Sequence, residues 1–213
     1  MHTNGGIPCY AAPKIYSMNM NDRTSVVNFL FEIGILSKTP RSGFHFLGSG
    51  EQSVSEHTNR VVFIGFAMAS IEKNVDMLKV LKMCLLHDLA EGRVSDLNYV
   101  HQKYVKRDEV KAIDDLAGSL PFGDDVKAVI SEYEERISKE AILAKDADNI
   151  EWILSLKEQV DTGNARALEW IKPAIKRLKT DIAISIAEKI MDTNSSDWWF
   201  KDKDGDWWVT RNR

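Results

Sequence analysis

The chain has 213 residues, 44% of them hydrophobic and 28% charged, with a net charge of −4. This balance fits one soluble globular domain with a sizeable core. It excludes bulk binding to a nucleic-acid polymer, because no basic stripe interleaved with aromatics occurs.

Two cysteines, Cys9 and Cys84, exclude a disulfide framework and suit a reducing cytoplasm. No apolar run reaches the ~18 residues of a membrane span. Residues 1–22 lack a basic start followed by an apolar stretch, so they read as a loosely held arm and not a signal peptide. Helical periodicity dominates residues 23–191. A first helix is expected over 25–36, with Val26, Phe29, Leu30 and Ile33 on one face. SKTPRSGFHFLGSGEQ, 37–52, is loop chemistry. Ser53 and Glu56 match a capping box, which starts a second helix near 54 with His57 in its first turns. Asn74 or Asp76 can cap a third helix, expected to run to about 91, before Gly92 interrupts it. Within it Leu81, Leu85 and Leu89 fall at helical spacing, with Cys84 and Ala90 near the same stripe, which reads as core.

A polar link over 92–99 precedes helices at about 105–119, 124–136, 138–158 and 164–191. Pro121 and Gly123 separate the first two; Thr162, Gly163 and Asn164 precede the last, which Pro173 is expected to kink or divide. With no repeat and hardly any alternating pattern, the fold class is an all-α helical bundle. The tail, 192–213, holds four of the six tryptophans in two pairs around Asp204 and Gly205. Asp-Gly between aromatic segments predicts a β-hairpin or a packed strap. DKDGD superficially resembles a calcium loop, but the twelve-residue pattern with its terminal glutamate is missing.

Five histidines occur. His2, His45 and His101 fall in the arm, the loop and the polar link, and read as surface or satisfied side chains. His57 and His87 lie on helices, each beside an acid and close to apolar residues. Asp88 adjoins His87, and Asp148 sits inside an apolar helix. Such acids and imidazoles cost several kcal/mol to bury unless something compensates them. Singly, each reads as structural. Together, His57, His87, Asp88 and Asp148 form a mixed N/O set suited to one divalent metal ion, with positions left for water and a substrate oxygen. Glu91 stands one helical turn beyond His87, and Asp96 can curl back over the site. These two acids either share acid–base work or merely end one helix and cap the next. Arg41, on the loop, offers a fork of donors matched to phosphate; alone it reads as solvent-facing.

PRSGF, SVSEHTNRV, LLHDLAEGRVSDL and EYEERISKEAILAKDADNIEW, in that order, resemble the HD-domain metal-dependent phosphohydrolases, and specifically their 5′-deoxynucleotidase branch. The resemblance covers roughly residues 24–158. It implies a helical bundle in which His57, His87, Asp88 and Asp148 hold the metal. It also implies that Glu91 and Asp96 act on the attacking water and the leaving oxygen, and that Arg41 clamps the phosphate. Asp146 competes for the last ligand position; the family's K-x-x-D pattern from Lys145 selects Asp148. Two positions depart from the family's habit: Ser95 replaces a frequent glycine before Asp96, and the aromatic beside the arginine, often tryptophan, is present only as Phe44.

The implied function is hydrolysis of a (deoxy)nucleoside 5′-monophosphate to nucleoside and phosphate, by a cytoplasmic homodimer. Alternatives are a triphosphate or other phosphoester hydrolase with the same core, and a binding module that uses the Trp-rich tail. A di-iron oxygenase is disfavoured, because such relatives add histidines between the His-Asp pair and the last aspartate, where only His101 stands. The ligand set admits manganese, cobalt, magnesium or another transition metal.

Overall fold

Short polar side chains set where most of the helices begin. The computed structural model describes residues 19–211; the first eighteen positions of the expected arm, with His2 and Cys9, lie outside the described residues. Asn19 and Asp22 cap α1 (Met20–Ile33) reciprocally. A tight helical turn, Gly34–Ser37, completes what was expected as a single helix to 36. The loop over 37–52 contains one short helix, α2 (Phe44–Leu47). Ser53 and Glu56 form the anticipated box at the head of α3 (Val54–Ile71). Asp76 caps α4 (Met77–Leu86), and α5 (Glu91–Val94) follows. Asp108 caps α6 (Glu109–Ala117), and α7 (Gly123–Glu135) comes next. Ser138, Asn164 and Thr180 cap α8 (Lys139–Asp161), α9 (Ala165–Ile175) and α10 (Asp181–Met191). Each such cap satisfies an N–H that helix geometry leaves without a partner, worth about 0.5–2 kcal/mol. There is no strand among the described residues, only an isolated bridge between Pro40 and Ser53. No helix among the described residues is long and apolar enough to cross a membrane.

The long helix α8 is packed by α3, α4, α7, α9 and α10 and buries both apolar side chains and polar ones such as Asp146, Asn149, Glu151 and Lys157. A second, smaller core lies beside it, built from Leu36, Val54, Leu89, Ile113, Leu116 and Val126. Helices α3 and α4 make the approach that matters most for the site. A Cβ at Gly65 would lie 2.5 Å from the sulfur of Cys84, so only glycine lets the two helices come this close. The link over 72–76 is short, so α3 and α4 run in opposite directions from this crossing. The first turn of α3 and the last turn of α4 therefore reach the same end of the bundle, with His57 and His87 side by side.

Four expectations are corrected. The leucine stripe is not the core face of α4: Leu85 is 57% exposed, while Val80, Met83 and Cys84 are buried. Helix α4 stops at Leu86, so Leu89 and Ala90 belong to a turn and pack into the smaller core. Pro173 does not divide the last segment; α9 continues past it to Ile175, and the break falls at 176–180. There Asp146, only 1% exposed, accepts the N–H groups of Lys179 and Thr180 and the Thr180 hydroxyl, and so holds the chain out of helical register. The tail forms no hairpin. It folds as α11 (Asp197–Phe200) and α12 (Asp206–Thr210), with Trp199, Phe200 and Trp208 in mutual ring contact. Neither Asp204 nor Gly205 takes the positive φ that a two-residue type I′ turn needs, and a lone two-stranded ribbon is marginal in water.

Gly65→Ala is expected to cost about 1–3 kcal/mol by overpacking, read by urea denaturation. Adding Cys84→Ala should recover part of that loss, because the obstructing sulfur is then gone; strictly additive losses would show that the two positions do not meet.

Candidate metal centre and active site

His57 enters from the first turn of α3, fully buried, its position fixed by the cap at Ser53. His87 and Asp88 follow the last residue of α4, where tight turns replace the helix: Leu89 N–H bonds to the Leu86 carbonyl and Glu91 N–H to that of Asp88. This winding lets both side chains turn inward, although neighbours on a regular helix diverge by ~100°. Asp148 comes from the middle of α8.

The four functional atoms meet. His57 Nε2 lies 3.3 Å from His87 Nε2, 3.1 Å from Asp148 Oδ1 and 3.5 Å from Asp88 Oδ2. His87 Nε2 lies 3.2 Å from Asp88 Oδ2 and 4.0 Å from Asp148 Oδ1. His57, His87 and Asp88 form a group able to hold a metal ion, all three ligand atoms lying within 4.8 Å of one another.

The hydrogen bonds behind these atoms fix their chemistry. His57 Nδ1 is 2.6 Å from a Glu151 carboxylate oxygen, and His87 Nδ1 is 2.9 Å from the Cys84 carbonyl. Both partners are acceptors, so each ring donates from Nδ1 and, when neutral, presents a lone pair at Nε2. Two imidazole lone pairs and two carboxylates then converge with no donor among them. A separation near 3.3 Å is also that of two nitrogens each ~2.1 Å from one cation at a roughly tetrahedral angle. The donor set fits a divalent ion.

The electrostatics agree. Burial and Arg41 oppose charge on His57, yet hydrogen bonds to Asp148 and Glu151 lift its pKa to about 9. Asp88 and Asp148 are held below the ordinary range in spite of burial, Asp88 chiefly by His87 and Asp148 chiefly by Lys145. The cluster draws positive charge to its centre.

Above it stand the remaining residues singled out in the sequence. Arg41 Nη1 donates to Asp88 Oδ2 at 3.1 Å, and its buried Nε makes no hydrogen bond among the described residues but lies 3.9 Å from Asp96 Oδ2. The Ser42 N–H donates to Asp96 Oδ2 at 2.8 Å, so Asp96 does curl back as anticipated. Glu91 is buried, receives Arg107 at 3.1 Å through Oε1 and keeps Oε2 without a partner. Burial, with Asp88 and Asp96 nearby, pushes its carboxyl up to about 9. Ser95 explains one departure from the family pattern. Its φ of 62° and ψ of 158° place it in a region where glycine is at ease and other residues are strained by about 1–3 kcal/mol. That bend aims Asp96 into the site. His45 and His101 stand exposed, away from the cluster. Asp146, the competitor for the fourth ligand position, is spent on capping α10.

Arg41, Asp88, Glu91, Asp96 and Asp148 line one cavity of about 290 Å³, shared with Tyr99, Gln102, Arg107, Lys145, Trp152 and Arg177. Several residues in this region escaped the sequence reading, among them Tyr99, Gln102, Arg107 and Arg177 of the cavity wall, and two that touch the residues it did single out. Glu151 is fully buried and gathers His57, Gln52, Arg60 and Ser155; its spacing three residues beyond Asp148 on one helix face was the available signal. Trp152 supplies the aromatic wall sought at Phe44. Phe44 itself is buried against Trp152, with ring centroids 5.3 Å apart.

Glu151→Gln should weaken divalent-metal affinity about 10–100-fold, the usual cost of losing a partner behind a ligand histidine, read by metal titration of stripped protein. Burial opposes the Glu151 charge, but the His57 hydrogen bond and Arg60 hold its pKa near 2. The stability it contributes is present above pH ~4.5 and fades as pH falls toward 2; the variant should lose that part of the wild-type acid profile.

Residues 33–191 match a family model described as HD domain. The 5′-deoxynucleotidase HDDC2 of Dictyostelium discoideum is 34% identical over 119 residues, 50% of this chain and 62% of that protein, so the match spans just under two thirds of the relative. The 5′-deoxynucleotidase HDDC2 of Danio rerio is 30% identical over 140 residues, 63% of this chain and 69% of the relative. A conserved hypothetical protein from Pyrococcus furiosus has a solved structure that superposes with a TM-score of 0.69 at 28% identity, covering 78% of this chain and 99% of that one. The PH0347 protein of Pyrococcus horikoshii gives a TM-score of 0.64 at 28% identity, covering 77% and 97%. With most of its length matched, and two histidines and an aspartate meeting where α3 begins and α4 ends, this chain belongs to the HD domain family.

Proposed function

We propose that the protein is a metal-dependent phosphomonoesterase that removes the 5′-phosphate from deoxyribonucleoside monophosphates. The observation that carries this reading is the meeting of His57, His87 and Asp88 in a group able to hold a metal ion, with Asp148 3.1 Å from His57, beside a cavity that Asp88 and Asp148 line together with Arg41, Glu91 and Asp96. His57, His87, Asp88 and Asp148 hold one divalent ion, manganese, cobalt, magnesium or another transition metal, which supplies Lewis acidity and a water of lowered pKa. Arg41 brings its guanidinium, whose Nε makes no hydrogen bond and lies 3.9 Å from Asp96, against the phosphate. Glu91 holds a proton, because burial disfavours its anion, and delivers it to the leaving 5′-oxygen. Asp96, oriented by the Ser42 N–H, accepts a proton from the attacking water. Positioning and electrostatic stabilisation supply most of the acceleration. The names of the relatives support the substrate class.

A homodimer belongs to the same proposal. Phe63 and Phe66 on α3, and Leu78 and Leu85 on α4, are large apolar side chains left exposed, of the kind that an oligomer covers. Sedimentation equilibrium of the full chain should give twice the chain mass; a monomer at micromolar concentration would remove that part of the proposal.

Phosphate release is to be screened across mono-, di- and triphosphates with each metal added to stripped protein. Orthophosphate from monophosphates is expected, whereas tripolyphosphate from triphosphates would point to the alternative chemistry. Asp88→Ala should lose metal and turnover together. Glu91→Gln should keep its metal and lose about 10²–10⁴ in kcat. Undiminished turnover in a metal-replete Asp88→Ala protein would end the assignment.

A further inference from the structure

The cavity contains more charge and more hydrogen-bonding capacity than a phosphate needs. Four cations line it, and three have a carboxylate partner: Arg41 pairs with Asp88, Arg107 with Glu91 and Lys145 with Asp148. Arg177 is the exception. Among the described residues its side chain touches only Tyr99, bonding to the hydroxyl and lying 5.3 Å from the ring centroid.

Both residues are exposed and line the cavity from its mouth, while Asp88 and Asp148 line it beside the two histidines. Both are also anchored. Arg177 sits in the break between α9 and α10, whose next turn is pinned to Asp146. Tyr99 follows Asn98, a buried side chain whose amide donates to the Ser42 carbonyl and whose Oδ1 accepts from the Val100 and His101 N–H groups. The residue that orients Asp96 and adjoins Arg41 is thereby tied to the mouth, and the spacing between the two ends is fixed.

A third side chain completes the pattern. Gln102, lining the same cavity, donates its amide N–H to the Leu97 carbonyl at 2.6 Å. Gln102 is exposed, and its Oε1, an amide oxygen, can accept a hydrogen bond from a ligand in the mouth. The mouth thus offers an aromatic ring for stacking, a guanidinium with free donors and an amide oxygen. A polyphosphate chain would use the guanidinium but gain nothing from the ring or the acceptor. A nucleobase uses all three.

We propose that Arg177, Gln102 and the Tyr99 ring read the base of the nucleotide and select a 6-oxopurine, guanine. This rests on the monophosphatase reading above. Guanine accepts at O6 and N7, the pair an arginine fork matches, and donates from N1 and N2 toward an acceptor such as Gln102 Oε1. Adenine presents an amino group where guanine has O6, and that donor opposes the guanidinium. The mouth is exposed, so water can take up an unmatched donor and the discrimination is modest, not the steep rejection of a fully buried site.

The full-length, metal-loaded chain is tested with deoxyguanosine and deoxyadenosine 5′-monophosphates, beside Arg177→Gln. The wild type should favour the guanine nucleotide about 10-fold in kcat/KM, the worth of one good bidentate base contact, and the variant's ratio should fall to near one. Equal wild-type turnover of both bases overturns the proposal, as does an equal loss on both in the variant. A loss confined to triphosphates, whatever their base, also overturns it, since Arg177 would then be a phosphate contact. Calorimetric binding of the two free nucleosides gives an independent reading. If no monophosphate is hydrolysed, tighter binding of deoxyguanosine that Arg177→Gln abolishes sustains the base site while the phosphatase reading falls. Equal binding of the two nucleosides removes the base site as well.

Discussion

Two imidazole nitrogens and two carboxylates meet inside this bundle with no hydrogen to share among them when the rings are neutral, and the surrounding structure works to keep that meeting in place. Burying such a set costs several kcal/mol unless opposite charge compensates it. The compensation is layered. Glu151 and the Cys84 carbonyl take the outward-facing N–H groups of the two rings, which turns both Nε2 atoms toward the centre. Arg41 and Lys145 lie against the two aspartates. What is left in the middle is a set of donor atoms whose chemistry fits one cation.

Helix α8 carries both the core and the chemistry, and it separates them by register. Leu143, Ala147, Ile150 and Leu156 pack it among its neighbours, while Asp148 and Glu151 share a face toward His57. Asp146 points elsewhere and pins the start of α10. Two aspartates two residues apart on one helix therefore have unrelated jobs, because ~200° of rotation separates them. The close crossing of α3 and α4 at Gly65 and Cys84 supplies the rest, since it carries the first turn of one helix and the last turn of the other to this face.

The loop residues reach the site by strain and by clamping. Ser95 bends where a glycine would bend freely, and the bend presents Asp96 to the Ser42 N–H. The isolated bridge between Pro40 and Ser53 folds the Arg41 loop back onto the head of α3. Arg41 is thus held beside Asp88 across 47 residues of chain. Regular secondary structure is not needed for this, because a few backbone bonds between irregular segments suffice when both ends are anchored.

Read alone, the sequence determined the helical class and the starts of the main bundle helices α3, α4, α7, α8 and α9, and it singled out the residues proposed for the site. Caps such as Ser53, Asp76 and Asn164 act within three residues of themselves, and a titratable side chain in an apolar helix is visible without a partner. The resemblance further separated Asp148 from Asp146. Only the tertiary structure decided which face of α4 is buried, where the last long segment breaks and how the tail folds. Those outcomes depend on neighbours distant in sequence: α3 chooses Val80, Met83 and Cys84 over Leu85, and Asp146 overrides the local signal of Pro173. The same holds for Glu151, Trp152 and Arg177, which look like ordinary helix and link residues until packing turns them toward the site. Local propensity is written along the chain, but orientation toward a shared centre exists only once distant segments have met.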